Sequence, residues 1–270
     1  MGGLLVACAE PPTSGEGTGD DEAVADEPVM AEDGQALRAS QQRTDPLMHD
    51  LSPGTALARE VWAAAGGEEL HRVAQLDFRF VVSEGDSEVF AATHRWDRRG
   101  ERDRVSWVDS DGRRHEAIVN VEDGSACGHV DAEPATGEAL DELAEAAHQR
   151  WVNDSYWLMV PLKLLDPGVH QGRKECEGGP AQLELTFDGV GLTPGDRYVL
   201  EVEHGRIASW EHQASGEEGA RYASFGDYQQ VGPLTLAMDH RMGDTRVHFS
   251  DVAAHETLQT SDFEAVIGCD

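Results

Sequence analysis

The sequence predicts an α+β fold: a strongly curved antiparallel β-sheet, an unclosed half-barrel, with helices laid over its concave apolar face. Three observations lead there. A long series of short segments alternates apolar with polar residues, so each strand has one dry and one wet face. Helical spacing is confined to two regions, one before the strands and one in their midst. A sheet that is apolar on one side must close, stack or be covered, and the economical solution with so few helices is a curved sheet.

The elements follow in chain order. TALAREVWAAA, residues 55–65, puts Leu57, Val61 and Ala64 or Ala65 on one helical face and is stopped by Gly66-Gly67. Ala74, Leu76, Phe78, Phe80 and Val82 then alternate with Gln75, Asp77 and Arg79. Phe90, Ala92, His94 and Trp96 repeat the pattern, Val105 with Trp107 and Ala117 with Val119 and Val121 continue it, and GDS and DSDGR read as hairpin turns. Leu140, Leu143, Ala144, Ala147 and Trp151 return to helical spacing, with Thr136 as cap and acids in the first turn. Asn153-Asp154-Ser155 reads as a stop that caps a second short helix over 156–160, which Pro161 ends. Strands resume with Leu183, Leu185 and Phe187, then Tyr198, Leu200 and Val202, with a type II turn at Thr193-Pro194-Gly195-Asp196 between them. Segments 207–212, 222–228, 234–238 and 245–249 complete the series.

RWVNDSYWLMVPLKLLDPGV, residues 150–169, gathers apolar bulk unlike the rest of the chain. It is the expected meeting place of covering element and sheet. Trp157, Leu158, Met159 and Leu162 would face a wall of Phe78, Phe80, Phe90, Trp96 and Trp107, and these nine are the candidate ligand-binding residues. A packed core and a cavity use the same residue types, although methionine adapts well to varied apolar ligands.

The chain has 270 residues and a formal net charge of −31, which excludes nucleic acid as a partner because the phosphate backbone would be repelled. Lys163 and Lys174 are its only lysines. Acidity on this scale reads first as a solubilised surface. No stretch approaches the roughly 20 apolar residues that span a bilayer. Residues 1–8 nevertheless look like the remnant of a lipoprotein signal: Leu5-Val6-Ala7 precede Cys8, the candidate lipid anchor, without the usual positive leader. Residues 9–50 are acidic, small and poor in aromatics, and are expected to be a disordered linker with a reach of about 35 Å. The folded domain is expected over 51–270. Of the remaining cysteines, Cys127 and Cys176 flank the helical region and are the expected disulfide, leaving Cys269 at a frayed terminus.

The order of elements, together with HRWDRRGERDRVSW, RWVNDSYWLMVPLKLLDPGV, LTFDGVGLTPGDRY and the WEH of Trp210 to His212, resembles the LolA/LolB-like family. It is most similar to a bacterial subgroup of outer-membrane lipoprotein-sorting-like proteins, over residues 55–252. The resemblance implies a half-barrel with a helical lid over an apolar cavity, lipoprotein acyl chains or similar lipids as ligands, and a place in the cell envelope, at the outer membrane facing the periplasm or the cell surface.

Catalytic and metal chemistry find no support in the pattern. There is no HExxH, no GxSxG elbow and no CxxC pair, and Gly189-Val190-Gly191 runs into Leu-Thr-Pro rather than a phosphate loop. His94 lies in the apolar register and reads as a hydrogen-bonded core residue, Asp109 and Asp111 as solvated turn residues. The expectation is a non-enzymatic, membrane-anchored module that needs no cofactor or metal and shelters a lipid or acyl group. The alternative is a structural or sensory lipoprotein with a filled core that binds a protein partner.

Overall fold

The computed structural model describes residues 51–174, 179–189, 195–216 and 219–269. Cys8, the 9–50 linker, Cys176 and Thr193-Pro194 lie outside the described residues. Helix α1, Pro53–Ala64, starts two residues before its expected position because Ser52 caps it, its hydroxyl accepting from the Thr55 amide at 3.1 Å, with Pro53 preset for the first turn. Its Gly54 lies so close to the sheet that a Cβ there would stand 2.5 Å from the Gln171 carbonyl oxygen, so only glycine fits the crossing.

The strands follow the predicted alternation. β1 (Gln75–Glu84), β2 (Ser87–Asp97), β3 (Arg102–Val108), β4 (Arg114–Asn120), β5 (Ala126–Val130) and β6 (Glu133–Pro134) step outward to one edge of the sheet. Helix α2, Glu138–Lys163, then carries the chain to the other edge. From there β7 (Val169–Lys174), β8 (Ala181–Phe187), β9 (Arg197–Glu203), β10 (Arg206–Gln213), β11 (Arg221–Val231), β12 (Leu234–Met242) and β13 (Thr245–His255) step back until β13 pairs with β1, Phe80 opposite Phe249.

The result is an unclosed, all-antiparallel sheet of 13 strands. Laid flat it would be about 58 Å wide. The crossing helix of 26 residues is only about 39 Å long. Its two ends can meet both halves of the sheet only if the sheet curls toward it. Leu143 and Ala147 pack on β3 and β4, Leu158, Met159 and Leu162 on β1, β12 and β13, and Val160 and the following Leu164 on β8 to β10. The fold is therefore the curved α+β half-barrel that the alternating strands implied.

Expectations about α2 and about the disulfide are corrected. α2 is one helix, not two, and Asn153-Asp154-Ser155 lies inside it. The groups that would have capped a new helix are engaged elsewhere: the Asp154 carboxylate takes His94 of the sheet, and the Asn153 amide donates to Asp154 at 2.8 Å. Pro161 is also internal. It removes one backbone bond, to the Trp157 carbonyl, at a cost of about 3 kcal/mol. Burial of Leu158, Met159, Val160, Leu162 and Leu164 offsets that cost, since each such side chain contributes about 1.5–3 kcal/mol. The start of α2 differs as well: Gly137, at φ 57°, occupies the cap position rather than Thr136.

The second correction is the disulfide, which joins Cys127 to Cys269 and not to Cys176. The C-terminal segment is not frayed. It lies on the face opposite α2, where Gln75 binds both Asp262 at 2.9 Å and the Gln259 amide at 2.8 Å, and Arg104 donates to the Asp262 carbonyl at 2.7 Å. Phe263 is buried beneath Arg102, whose guanidinium stands 4.5 Å from the ring centroid. That path delivers Cys269 to β5. Because the bridge spans 142 residues, replacing both cysteines with serine is expected to cost about 2–4 kcal/mol. Urea unfolding midpoints of the two forms measure it, and equal midpoints would show that the strap holds without its covalent tie.

Candidate functional site

The region between α2 and the concave wall is built by two alternations that converge. Even-numbered residues of β1 and β2 point inward, as do alternate residues of β12 and β13, and α2 presents a broad apolar stripe to them. Phe78, Phe80, Trp96, Leu158, Met159 and Leu162 come together in one cluster, with Phe90 and Trp157 half-buried at its margin. Trp107 does not join them. It belongs to a separate cluster with Val105, Val119 and Leu143 and stacks on His115 at 4.8 Å. The gathered side chains are closed from solvent: Phe78 and Leu158 are 1% exposed and Met159 2%. A void of about 10 Å³ beside Pro161, lined in part by Val61, Ile207 and Tyr228, is roughly the size of one water. A groove of about 590 Å³ along β2 to β4 has a mixed lining, with the candidate residues Phe90 and Trp107 beside Arg79, Glu88, Glu116 and His129.

Polar groups sit inside this apolar region. His94 of β2 is fully buried, with Phe78 stacked on its ring at 4.5 Å. Its Nδ1 lies 2.7 Å from an Asp103 oxygen and its Nε2 lies 3.1 Å from an Asp154 oxygen. A neutral imidazole has one donor and one acceptor, so two carboxylate partners select the doubly protonated ring. Burial works against that charge, but the two carboxylates outweigh it and raise the pKa of His94 to about 9. The pair of bonds ties the middle of α2 to the sheet. All three side chains are closed from solvent.

His240 of β12 is the opposite case. It is 1% exposed, among Trp157 at 5.3 Å, Phe225 at 4.4 Å and Phe249 at 5.8 Å. Neither ring nitrogen has a well-formed hydrogen bond among the described residues, although the Ala237 carbonyl of the same strand acts on the ring. Burial pushes its pKa down to about 4 against the pull of Asp239, so the ring is neutral at physiological pH. Its one sign in the sequence is that His240 continues the inward register of Leu234, Leu236 and Met238. The Asn-Asp-Ser pattern masks the role of Asp154, Asp103 carries no signal in the sequence, and the buried Ser155 hydroxyl has no hydrogen-bond partner among the described residues.

At the end of the same region Lys163 of α2 stands over Trp96 and Trp151, its ammonium 5.7 and 5.2 Å from the ring centroids. Burial lowers its pKa, Asp166 pulling the other way.

Comparison with solved structures finds several similar chains. The chain is similar to a DUF1329 family protein from Desulfovibrio piger, with a TM-score of 0.46 and 11% identity over 80% of this chain and 98% of that one. It is similar to a LolA superfamily protein from Nitrosomonas europaea, with a TM-score of 0.46 and 11% identity over 76% of this chain and 96% of the other. An outer membrane lipoprotein-sorting protein domain from Vibrio parahaemolyticus matches with a TM-score of 0.38 and 11% identity, over 78% of this chain and 96% of that domain. No family model matches the sequence, and no curated protein matches it.

Proposed function

We propose that this chain is a non-catalytic binding module that shelters an acyl chain or similar lipid between α2 and the concave wall, held at the cell envelope by lipid on Cys8. The observation that carries the reading is His240. A core built only for stability gains little from a buried imidazole whose one polar neighbour is the Ala237 carbonyl and whose nitrogens make no well-formed bond, because a poorly satisfied buried group costs about 1–3 kcal/mol. A guest bearing an ester or hydroxyl on an apolar chain would satisfy both the ring and its aromatic surroundings. Met159 and Met238 border the same space and can adjust to a variable chain. Pro161 leaves the Trp157 carbonyl without its helical partner, which softens the helix where it would have to lift.

The closed state of Phe78, Leu158 and Met159 favours a second reading, a filled module that binds a protein partner. Lipid extraction followed by mass spectrometry of protein purified from membranes separates the two. The sheltering reading expects a stoichiometric copurifying lipid. Protein free of lipid that also ignores a fluorescent fatty-acid probe would leave only the partner reading.

A further inference from the structure

We infer that Lys163, Arg98, Trp96 and Trp151 form a subsite for one oxyanion, a carboxylate or a phosphate. The four side chains are held together. The two indoles stand 5.3 Å apart, the Lys163 ammonium lies over both, and the Arg98 guanidinium carbon is 5.4 Å from the Trp96 ring centroid. Arg98 is fixed from behind, donating through one terminal nitrogen to the Leu70 carbonyl at 2.8 Å and the Val73 carbonyl at 3.0 Å.

What the cluster lacks is an acceptor. The Nε of Arg98 and the Nε1 of both Trp96 and Trp151 are buried and have no partner among the described residues, and Trp96 is 9% exposed. In a chain with 52 acidic residues, neither Lys163 nor Arg98 has a hydrogen-bonded carboxylate among the described residues, and Asp166 is the one acid that acts on them. Asp166 acts on both from beyond ion-pair distance; burial of its carboxyl raises its pKa although the residue keeps an exposed edge, so it balances the two charges only in part. Cation–π contact accounts for the place of the ammonium over the rings, but not for three buried N–H donors left without an acceptor in the same group of side chains. An oxyanion supplies several acceptor lone pairs and a compensating charge, and so completes the set.

The site adjoins the apolar region through Trp96 and Leu162, which places an acidic head group at the rim with its chain beneath α2. That assignment of the anion as a lipid head rests on the proposed function, whereas a free oxyanion would not require it. The test uses the full chain, tryptophan fluorescence, and three probes: decanoate, decanol and inorganic phosphate. Wild type is expected to bind decanoate at least about tenfold more tightly than decanol. Lys163→Met, which keeps the stem, should bring that ratio close to one, and Lys163→Arg should restore part of it. Arg98→Met is the second variant should Lys163→Met unfold.

Equal affinity for decanoate and decanol in wild type would overturn the subsite while leaving the sheltering reading intact. Phosphate bound in a Lys163-dependent way without decanoate would support the subsite and remove the lipid. Failure of every probe would overturn both.

Discussion

Asp154→Ala is expected to destabilise the fold by roughly 3–5 kcal/mol, the cost of leaving a buried charge with one partner removed. His94 would keep Asp103 at 2.7 Å but lose the acceptor on Nε2, and α2 would lose its polar tie to β2. The same tie makes stability depend on pH. The folded pKa of His94 is raised from 6.5 to about 9, so its contribution is complete below pH 6.5 and is lost as pH rises through about 9. The difference of 2.5 units corresponds to about 3 kcal/mol. His240 acts on the other side. Its folded pKa is depressed to about 4, so the unfolded chain binds the extra proton and stability falls as pH drops from 6.5 toward 4. Urea midpoints measured across pH 4 to 10 should give a dome centred near the ordinary histidine pKa. Asp154→Ala should shrink the alkaline arm, and His240→Phe should shrink the acidic one. An alkaline arm of unchanged height in Asp154→Ala would mean that His94 is not charged in the fold.

Much of the architecture was legible because each inner strand is wet on one side. Leu76, Phe78, Phe80 and Val82 announce β1 by alternation alone, and the same holds for β2, β8, β9 and β12. The strands that went unread are β5, β6 and β7, where Gly128, Pro134 and the His170-Gln171-Gly172-Arg173 run carry no apolar period because they lie at or near the sheet's edges. The break in α2 was misread for a different reason. Asn, Asp and Ser signal a cap through local hydrogen bonds, and here Asp154 spends its carboxylate on a residue 60 positions away, which no local rule can show. The disulfide failed likewise, since proximity of Cys269 to Cys127 depends on the strap formed by Gln75, Arg104 and Phe263. For the candidate site, the aromatic stretch located the meeting of α2 and sheet. Which polar groups would be stranded inside, His240 above all, depends on the register of β12 against β11 and β13, which is a tertiary fact.

Leu158→Ala and Met159→Ala are each expected to cost roughly 2–5 kcal/mol, because both side chains are buried within the closed contact of α2 with β1, β12 and β13. Their loss leaves a void that the surrounding aromatic residues can only partly fill. A guest that enters beneath α2 must displace the same contacts, so its binding energy is drawn on to open them. Linkage then provides the readout: a ligand held by the folded state alone adds about 2.7 kcal/mol at a hundredfold excess over its Kd. The measurement is urea unfolding of wild type and both variants, each with and without decanoate. Lower midpoints in both unliganded variants, together with a higher midpoint for liganded wild type, would describe a closed module that opens for its guest. Losses below about 1 kcal/mol would indicate an interior already open, since a filled site cannot lose a leucine so cheaply. Large losses with no rise on adding ligand would make the contact of α2 with the sheet a permanent core. Recognition would then lie on the acidic exterior, with a protein as its partner.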